Sequence, residues 1–443
     1  MNNQLKKVNP YTGALFIMAL LYFIFGFVTW LNGILIPFLK LTCNLNSDAK
    51  AFLVTFAFFI AYFVLALPSS WILEKTGFKN GMSLGLATMA VGAVVFIPAA
   101  ETRSFNLFLV GLFIQGMGLA LLQTAVNPYV SILGPHESAA TRISVMGIFN
   151  KLAGIAAPLV FGQLLLGNAA EISKKVEATA DIVEKDVLLV ELSGRVVVPY
   201  LVITAVLLAL AAALRFVHLP EIQGKEEESD DDTSVAKTAV RNHSFKYVRH
   251  NRTTAAKTSI FQFPHVLLGA LAIFFYVGAE VMAGDLIGTY GRNLGFSLDQ
   301  TRYFTTLTLS GMLIGYLLSL AIIPKYVKQE NWLNVSAIFG IILTFAAYLT
   351  EGSVAITCIA ALGFANAVMW PAIFPLGIAG LGKFTKTGSA LLIMGIAGGA
   401  IVPQIYGQLA EVIPFETAFL LTMLPCYLYI LYFAKIGHKV GKS

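Results

Sequence analysis

The sequence is short of charge and of cysteine. Lys, Arg, Asp and Glu make up 12% of its 443 residues, about half the ~25% of an average soluble domain. That excludes an ordinary water-soluble fold. The three cysteines, Cys43, Cys358 and Cys426, are scattered and odd in number, so no disulfide framework or thiolate cluster follows from them. The six histidines all fall at or beyond one boundary of the apolar runs described below, which leaves no imidazole site within those runs. No Gly-x-Ser-x-Gly nucleophile motif occurs among them. Gly437-His438-Lys439-Val440-Gly441-Lys442-Ser443 is one residue short of a phosphate loop. An enzyme is not expected, nor a resident cofactor or metal.

Apolar residues are abundant: 57% of the chain is hydrophobic and the mean hydropathy is +0.77. Twelve runs of about 20 residues recur, at roughly 13–39, 51–73, 82–100, 105–133, 143–167, 197–217, 264–290, 302–323, 332–350, 354–380, 388–410 and 417–436, each suited to a hydrocarbon core of about 30 Å. They are numbered here as spans one to twelve. Lipid permits only helices or closed barrels, and runs this long and continuous are helices. The first is about twice the length of a signal-peptide core and has no small-residue cleavage site, so it is expected to be a span.

A net charge of +6 and a pI near 9.0 would suit nucleic acid, but the distribution points to the bilayer. With the N-terminus placed inside, about 21 of the 30 Lys and Arg fall in cytoplasmic segments, among them Lys6, Lys7, Lys325, Lys328, Lys383, Lys386 and Lys439. This positive-inside pattern places both termini in the cytoplasm. The basic balance is a topology signal, and no nucleic-acid partner is expected.

Composition changes sharply once. Residues 218–262 are polar, with an acidic run from Glu226 to Asp232 followed by Arg241, Lys246, Arg249, Arg252 and Lys257. Blocks of opposite charge read as a solvated cytoplasmic linker between six-span halves at 1–217 and 263–443. A second polar insertion, about 167–195, falls outside, between spans five and six. The halves repeat each other. Gly154, Pro158, Gly162 and Gln163 in span five match Gly399, Pro403, Gly407 and Gln408 in span eleven at an offset of 245, while Gly116 and Pro128 match Gly363 and Pro375 at 247. Repeated halves place a substrate site at their interface near the bilayer midplane.

Charge inside a span is costly, roughly 2.5–3.5 kcal/mol for a central Asp even on the lenient insertion scale. Span seven nevertheless carries Glu280 and Asp285. Tyr276 and Glu280 lie one turn apart on one face, while Asp285 points about 140° away. Neutral polar groups gather on other spans: Trp30 and Asn32 in span one, Gln123 and Asn127 in span four, Asn366 and Trp370 in span ten, Gln404 and Gln408 in span eleven. Amides are also interhelical glue in membranes, so each has a packing reading beside its functional one. No Lys or Arg is assigned deep in a span. The set suits a neutral polyol, whose hydroxyls amides can bond and whose ring an aromatic face can cover.

Four segments carry a family resemblance. Ser70-Trp71-Ile72-Leu73-Glu74-Lys75-Thr76-Gly77-Phe78-Lys79 resembles the loop signature of the major facilitator superfamily, with Glu for Asp and Ser for the leading Gly. Leu31-Asn32-Gly33-Ile34-Leu35-Ile36-Pro37, Gln123-Thr124-Ala125-Val126-Asn127-Pro128 and Tyr276-Val277-Gly278-Ala279-Glu280 resemble the fucose–galactose–proton symporter family, as does Trp370-Pro371-Ala372-Ile373-Phe374-Pro375-Leu376-Gly377, and especially its glucose/galactose branch. The resemblance covers the chain outside its two polar loops.

It implies an all-α fold of twelve helices in two pseudo-symmetric six-helix bundles, in a bacterial inner membrane. It also implies import of a hexose by alternating access, through a cavity lined by spans one, four, seven and ten. Asn150 matches a family sugar-site amide, while Gly33 and Gln123 stand where the fucose pattern has Asp and Glu, the acids that serve proton coupling and sugar binding there. Sugar binding is therefore expected from Trp30, Asn32, Gln123, Asn127, Asn150, Tyr276, Asn366, Trp370 and Gln404. Coupling to H⁺ or Na⁺ is expected at Glu280, with Asp285 a second candidate and Na⁺ at Glu280 the alternative to a proton. Glu74, Lys75, Lys79 and Arg142 are expected to form a cytoplasmic gate. A monomer is expected. Fucose or N-acetylglucosamine are alternative substrates, and a sugar-sensing receptor or an enzyme of lipid-linked sugars are alternative functions.

Overall fold

In a computed structural model, the structure describes residues 12–133, 139–167, 169–179, 181–217, 219, 259–322 and 326–441. The charged runs of the linker, with Lys6, Lys7 and Lys325, lie outside the described residues. Eleven helical segments there are long and apolar enough to cross a membrane. One of them, Asp48–Glu101, has 54 residues and would stretch about 80 Å if straight, more than twice the hydrocarbon thickness. It is two spans joined at Gly77, whose φ of 74° and ψ of 168° break the helical path. A positive φ of this kind suits glycine, and the total becomes twelve.

Local chemistry sets several ends. The Ser104 hydroxyl accepts from the Leu107 amide and starts span four, Phe105–Ile132. Pro264 opens span seven, Pro264–Gly284, where its missing N–H costs nothing. Three of the four spans expected to line the cavity are interrupted. Span one is Thr12–Trp30 and Asn32–Thr42, span seven continues as Ile287–Asn293, and span ten is Gly352–Asn366 and Met369–Ile378. Span four runs unbroken through Pro128. The second polar insertion contains two helices, Ala169–Ala178 and Ile182–Gly194.

The internal repeat is visible in packing. A Cβ at Gly116 would lie 2.2 Å from the Phe58 carbonyl oxygen of span two. A Cβ at its counterpart Gly363 would lie 2.1 Å from the Thr308 carbonyl oxygen of span eight. At both positions the absent side chain lets two helix backbones touch, the small-residue packing of membrane bundles. Large apolar side chains such as Phe16, Val91, Leu208, Leu317 and Ile342 point outward, as lipid-facing surfaces do.

The halves meet firmly on the face opposite the termini. Arg302, ahead of span eight, donates through Nη1 to the carbonyl oxygens of Leu166 and Gly167 at 3.2 and 3.4 Å. Gln404 Nε2 donates to the Ala49 carbonyl at 3.3 Å, and the Phe52 and Tyr406 rings stack at 5.9 Å. That face is sealed.

Candidate functional site

Between the halves lies a cavity with about 720 Å³ of empty space, part of it open to solvent. Seven of the expected residues line it: Trp30, Gln123, Asn127, Asn150, Tyr276, Glu280 and Trp370. Ile143 and Gly147, from the first turns of span five, also line it, so it lies toward the face that carries the termini.

Partners fix the polar walls. Gln123 Nε2 donates to the Tyr62 hydroxyl at 2.9 Å, and the Tyr22 hydroxyl donates to Asn127 Oδ1. Asn150 Nδ2 reaches the Tyr22 carbonyl at 3.5 Å. These bonds aim each amide while the cavity side of the group faces inward. Trp370 stacks on Phe374 at 5.6 Å and tilts against Tyr276 at 6.4 Å, giving an aromatic wall.

The main correction concerns charge. Lys151 of span five is 6% exposed and its Nζ lies 2.8 Å from Glu280 Oε1. A cation therefore does lie deep in a span, against the expectation, and Glu280 is not the unpaired acid that the sequence suggested. The same ammonium sits 4.5 Å from the centre of the Trp30 ring, a cation–π contact. The two formal charges cancel, so the pair adds no net charge to the cavity. Tyr22, Tyr62 and Tyr316 also line the cavity and were missed. Lys151 had a signal, a lone cation inside an apolar run beside Asn150, the same kind of anomaly that marked Glu280.

Three expected sugar ligands lie elsewhere. Asn32 is fully buried at the span-one break. Asn366 is also fully buried and accepts from the Tyr427 hydroxyl at 2.9 Å, so it fixes the span-ten break. Gln404 belongs to the seal between the halves. Asp285 is 1% exposed at the span-seven break. Of the gate residues, Lys79 Nζ donates to the Arg215 carbonyl at 2.9 Å and Lys75 lies 3.7 Å from the Trp71 ring centre. Arg142 Nε donates to the Val130 carbonyl at 3.0 Å. Glu74 is exposed and makes no ion pair among the described residues.

Two broken-helix bundles around a central polar cavity define a membrane transporter of the major facilitator type. The Major Facilitator Superfamily profile matches residues 18–403, and the chain belongs to that superfamily. It is 35% identical over 442 residues to a glucose/galactose transporter of Brucella abortus (strain 2308), covering 99% of this chain and 97% of the relative. It is 30% identical over 437 residues to the L-fucose-proton symporter of Escherichia coli (strain K12), covering 96% and 93%. The crystal structure of FucP, a superfamily transporter in the outward conformation, matches at a TM-score of 0.72 and 29% identity, over 97% of this chain and 99% of that one. These relatives are transporters, not enzymes.

Proposed function

We propose that this protein imports a neutral hexose of the glucose/galactose type by proton-coupled symport, as a monomer in a bacterial inner membrane with both termini cytoplasmic. The observation that carries the reading is the cavity itself, where amides and aromatic faces surround one compensated ion pair between the halves. Charged groups make the stronger hydrogen bonds to neutral hydroxyls, about 1.5–3 kcal/mol each. Lys151 and Glu280 are thus sugar ligands in this reading, with Gln123, Asn127 and Asn150 aiming further hydroxyls and Trp370 covering the ring. The sealed face is the periplasmic one.

Alternating access follows from two rigid bundles rocking about this site. One proton moving inward with each neutral sugar gains about 2.3 kcal/mol per 100 mV, enough for roughly a 50-fold gradient. The name of the L-fucose-proton symporter supports a proton over Na⁺. Counterflow of labelled hexose in proteoliposomes tests the reading, with glucose, galactose, fucose, mannose and N-acetylglucosamine as competitors. Exchange of glucose or galactose is expected. Sugar binding without any flux would mean a receptor.

A further inference from the structure

Asp285 and Asn32 are buried polar residues at two helix breaks, both outside the sugar cavity. Neither residue lines that cavity, and both are buried, at 1% and 0% exposure. Among the described residues, neither carboxylate oxygen of Asp285 has a hydrogen-bond partner, and neither do the amide oxygen and nitrogen of Asn32. Such groups are rarely left unpartnered without a reason.

Their place in the fold supplies one. Asp285 sits where span seven breaks, between Gly284 and Ile287, and Asn32 sits where span one breaks, after Trp30. The break in span seven is held by span eight. The Thr305 and Thr308 hydroxyls donate to the carbonyls of Gly284 and Ala283, each at 2.8 Å. A Cβ on Gly33 would lie 3.2 Å from Asp285 Oδ1 and 2.8 Å from the Thr305 hydroxyl oxygen. The two breaks therefore press together across the interface between the halves. The Gly33 backbone approaches the carboxylate without closing a hydrogen bond. The charged groups whose fields reach Asp285 are Glu280 on its own span and Lys151 on span five, and these two already pair with each other. Span one presents Gly33 to it, and span eight packs Thr305 against the same glycine.

An ionised carboxylate there would be a buried charge with no cation paired to it and no closed hydrogen bond, which costs several kcal/mol, whereas a protonated carboxyl avoids the charge part of that cost. We propose that Asp285 is the proton-carrying group of the transport cycle and that its protonation is required for the periplasmic halves of spans one and seven to close on each other. Water on the open periplasmic face gives the carboxylate a proton, and the neutral acid is then buried as the breaks meet. The proton leaves toward the cavity, which Glu280 lines on the same span, and the carboxylate re-forms as the halves part again. One O–H bond on Asp285 forms and one breaks per cycle, hydronium on the periplasmic side giving the proton and water in the cavity taking it.

This inference rests on the proton-coupled reading above, and its test separates the two. In proteoliposomes, Asp285→Asn imitates the protonated acid permanently. It is expected to keep hexose counterflow within about threefold while losing accumulation driven by an imposed pH gradient, at least tenfold, to a ratio near one. It is also expected to lose sugar-induced alkalinisation of the outer medium. Glu280→Gln is expected to weaken counterflow itself. If the wild type does not accumulate sugar on a proton gradient, or does so only on Na⁺, the functional reading fails. If the wild type accumulates sugar and Asp285→Asn does so equally, only the present inference is overturned. Should Asp285→Asn not fold, spin labels on Gln163→Cys and Tyr303→Cys in the otherwise native chain report the seal. The Tyr303 hydroxyl and Gln163 Oε1 lie 3.4 Å apart when it is closed. The short-distance population is expected to shrink as pH rises, and a pH-independent population overturns the proposal.

Discussion

Lys151 and Glu280 face each other across the interface of the two halves, Nζ to Oε1 at 2.8 Å. They are 129 positions apart in the chain and come from spans five and seven. Removing one partner of a buried pair strands the other's charge and typically costs about 3–5 kcal/mol, whereas replacing both by apolar groups is often neutral. Lys151→Met is therefore expected to lower the thermal midpoint of the detergent-solubilised protein. The double change Lys151→Met with Glu280→Met is expected to recover most of that loss. Hexose counterflow should stay abolished in both, because the sugar ligands are gone. Counterflow in the double variant would show that the pair is structural.

That pair also marks the limit of what the sequence discloses. The spans were legible because twenty-residue apolar runs have one solution in lipid, and the repeat was legible because Gly116 and Gly363 answer the same backbone contact. Glu280 stood out as a charge in hydrocarbon, and Lys151 obeyed the same logic, but no local pattern links residues on different helices of different halves. Nor could spacing separate Asn127, which lines the cavity, from Asn32 and Asn366, which are buried at helix breaks. All three are polar positions in apolar runs, and the difference lies in which neighbour each helix meets. The break near Gly77, by contrast, was legible as the charged loop between spans two and three, and the φ of Gly77 confirms it.

Gly284 packs its α-carbon against the indole of Trp30, where a Cβ would fall 2.4 Å from Cζ3. A rigid ring cannot yield cheaply, and overpacking costs about 1–3 kcal/mol. Gly284→Ala is expected to push spans one and seven apart, favouring the state open on the face away from the termini by about 5–150-fold. Thiol labelling of a cysteine placed at Gln404 should speed up accordingly. An unchanged rate would mean that this contact does not hold the seal.

Trp370 offers its ring to the cavity beside Tyr276. Loss of a stacking face is worth about 0.5–1.5 kcal/mol, so Trp370→Ala is expected to raise the KM for hexose about two- to tenfold with little change in the maximal rate. Trp370→Phe should restore most of the affinity. A fall in maximal rate with unchanged KM would instead assign Trp370 to the moving interface.

Lys79 ties the start of span three to the end of span six through the Arg215 carbonyl, one of the last carbonyls of Val197–Phe216. A cation there is favourable by about 0.3–1 kcal/mol. Lys79→Ala is expected to change the rate of conformational exchange severalfold, read from the spin-label pair at 163 and 303, with stability nearly unchanged. Glu74→Ala, at an exposed position without an ion pair among the described residues, is expected to have the smaller effect. Equal and negligible effects from both would remove this loop from the gate.

The central claim is that a proton gradient drives a neutral hexose through the Lys151–Glu280 cavity. Proteoliposomes with an imposed pH gradient, acid outside and free of Na⁺, test it most directly when labelled glucose or galactose is supplied. The expected result is uphill accumulation of roughly tenfold or more, within the gradient that one proton per sugar can sustain. Collapse of the gradient with a protonophore should abolish it. Accumulation that needs Na⁺, or no accumulation of any hexose by protein that still binds sugar, would contradict the account.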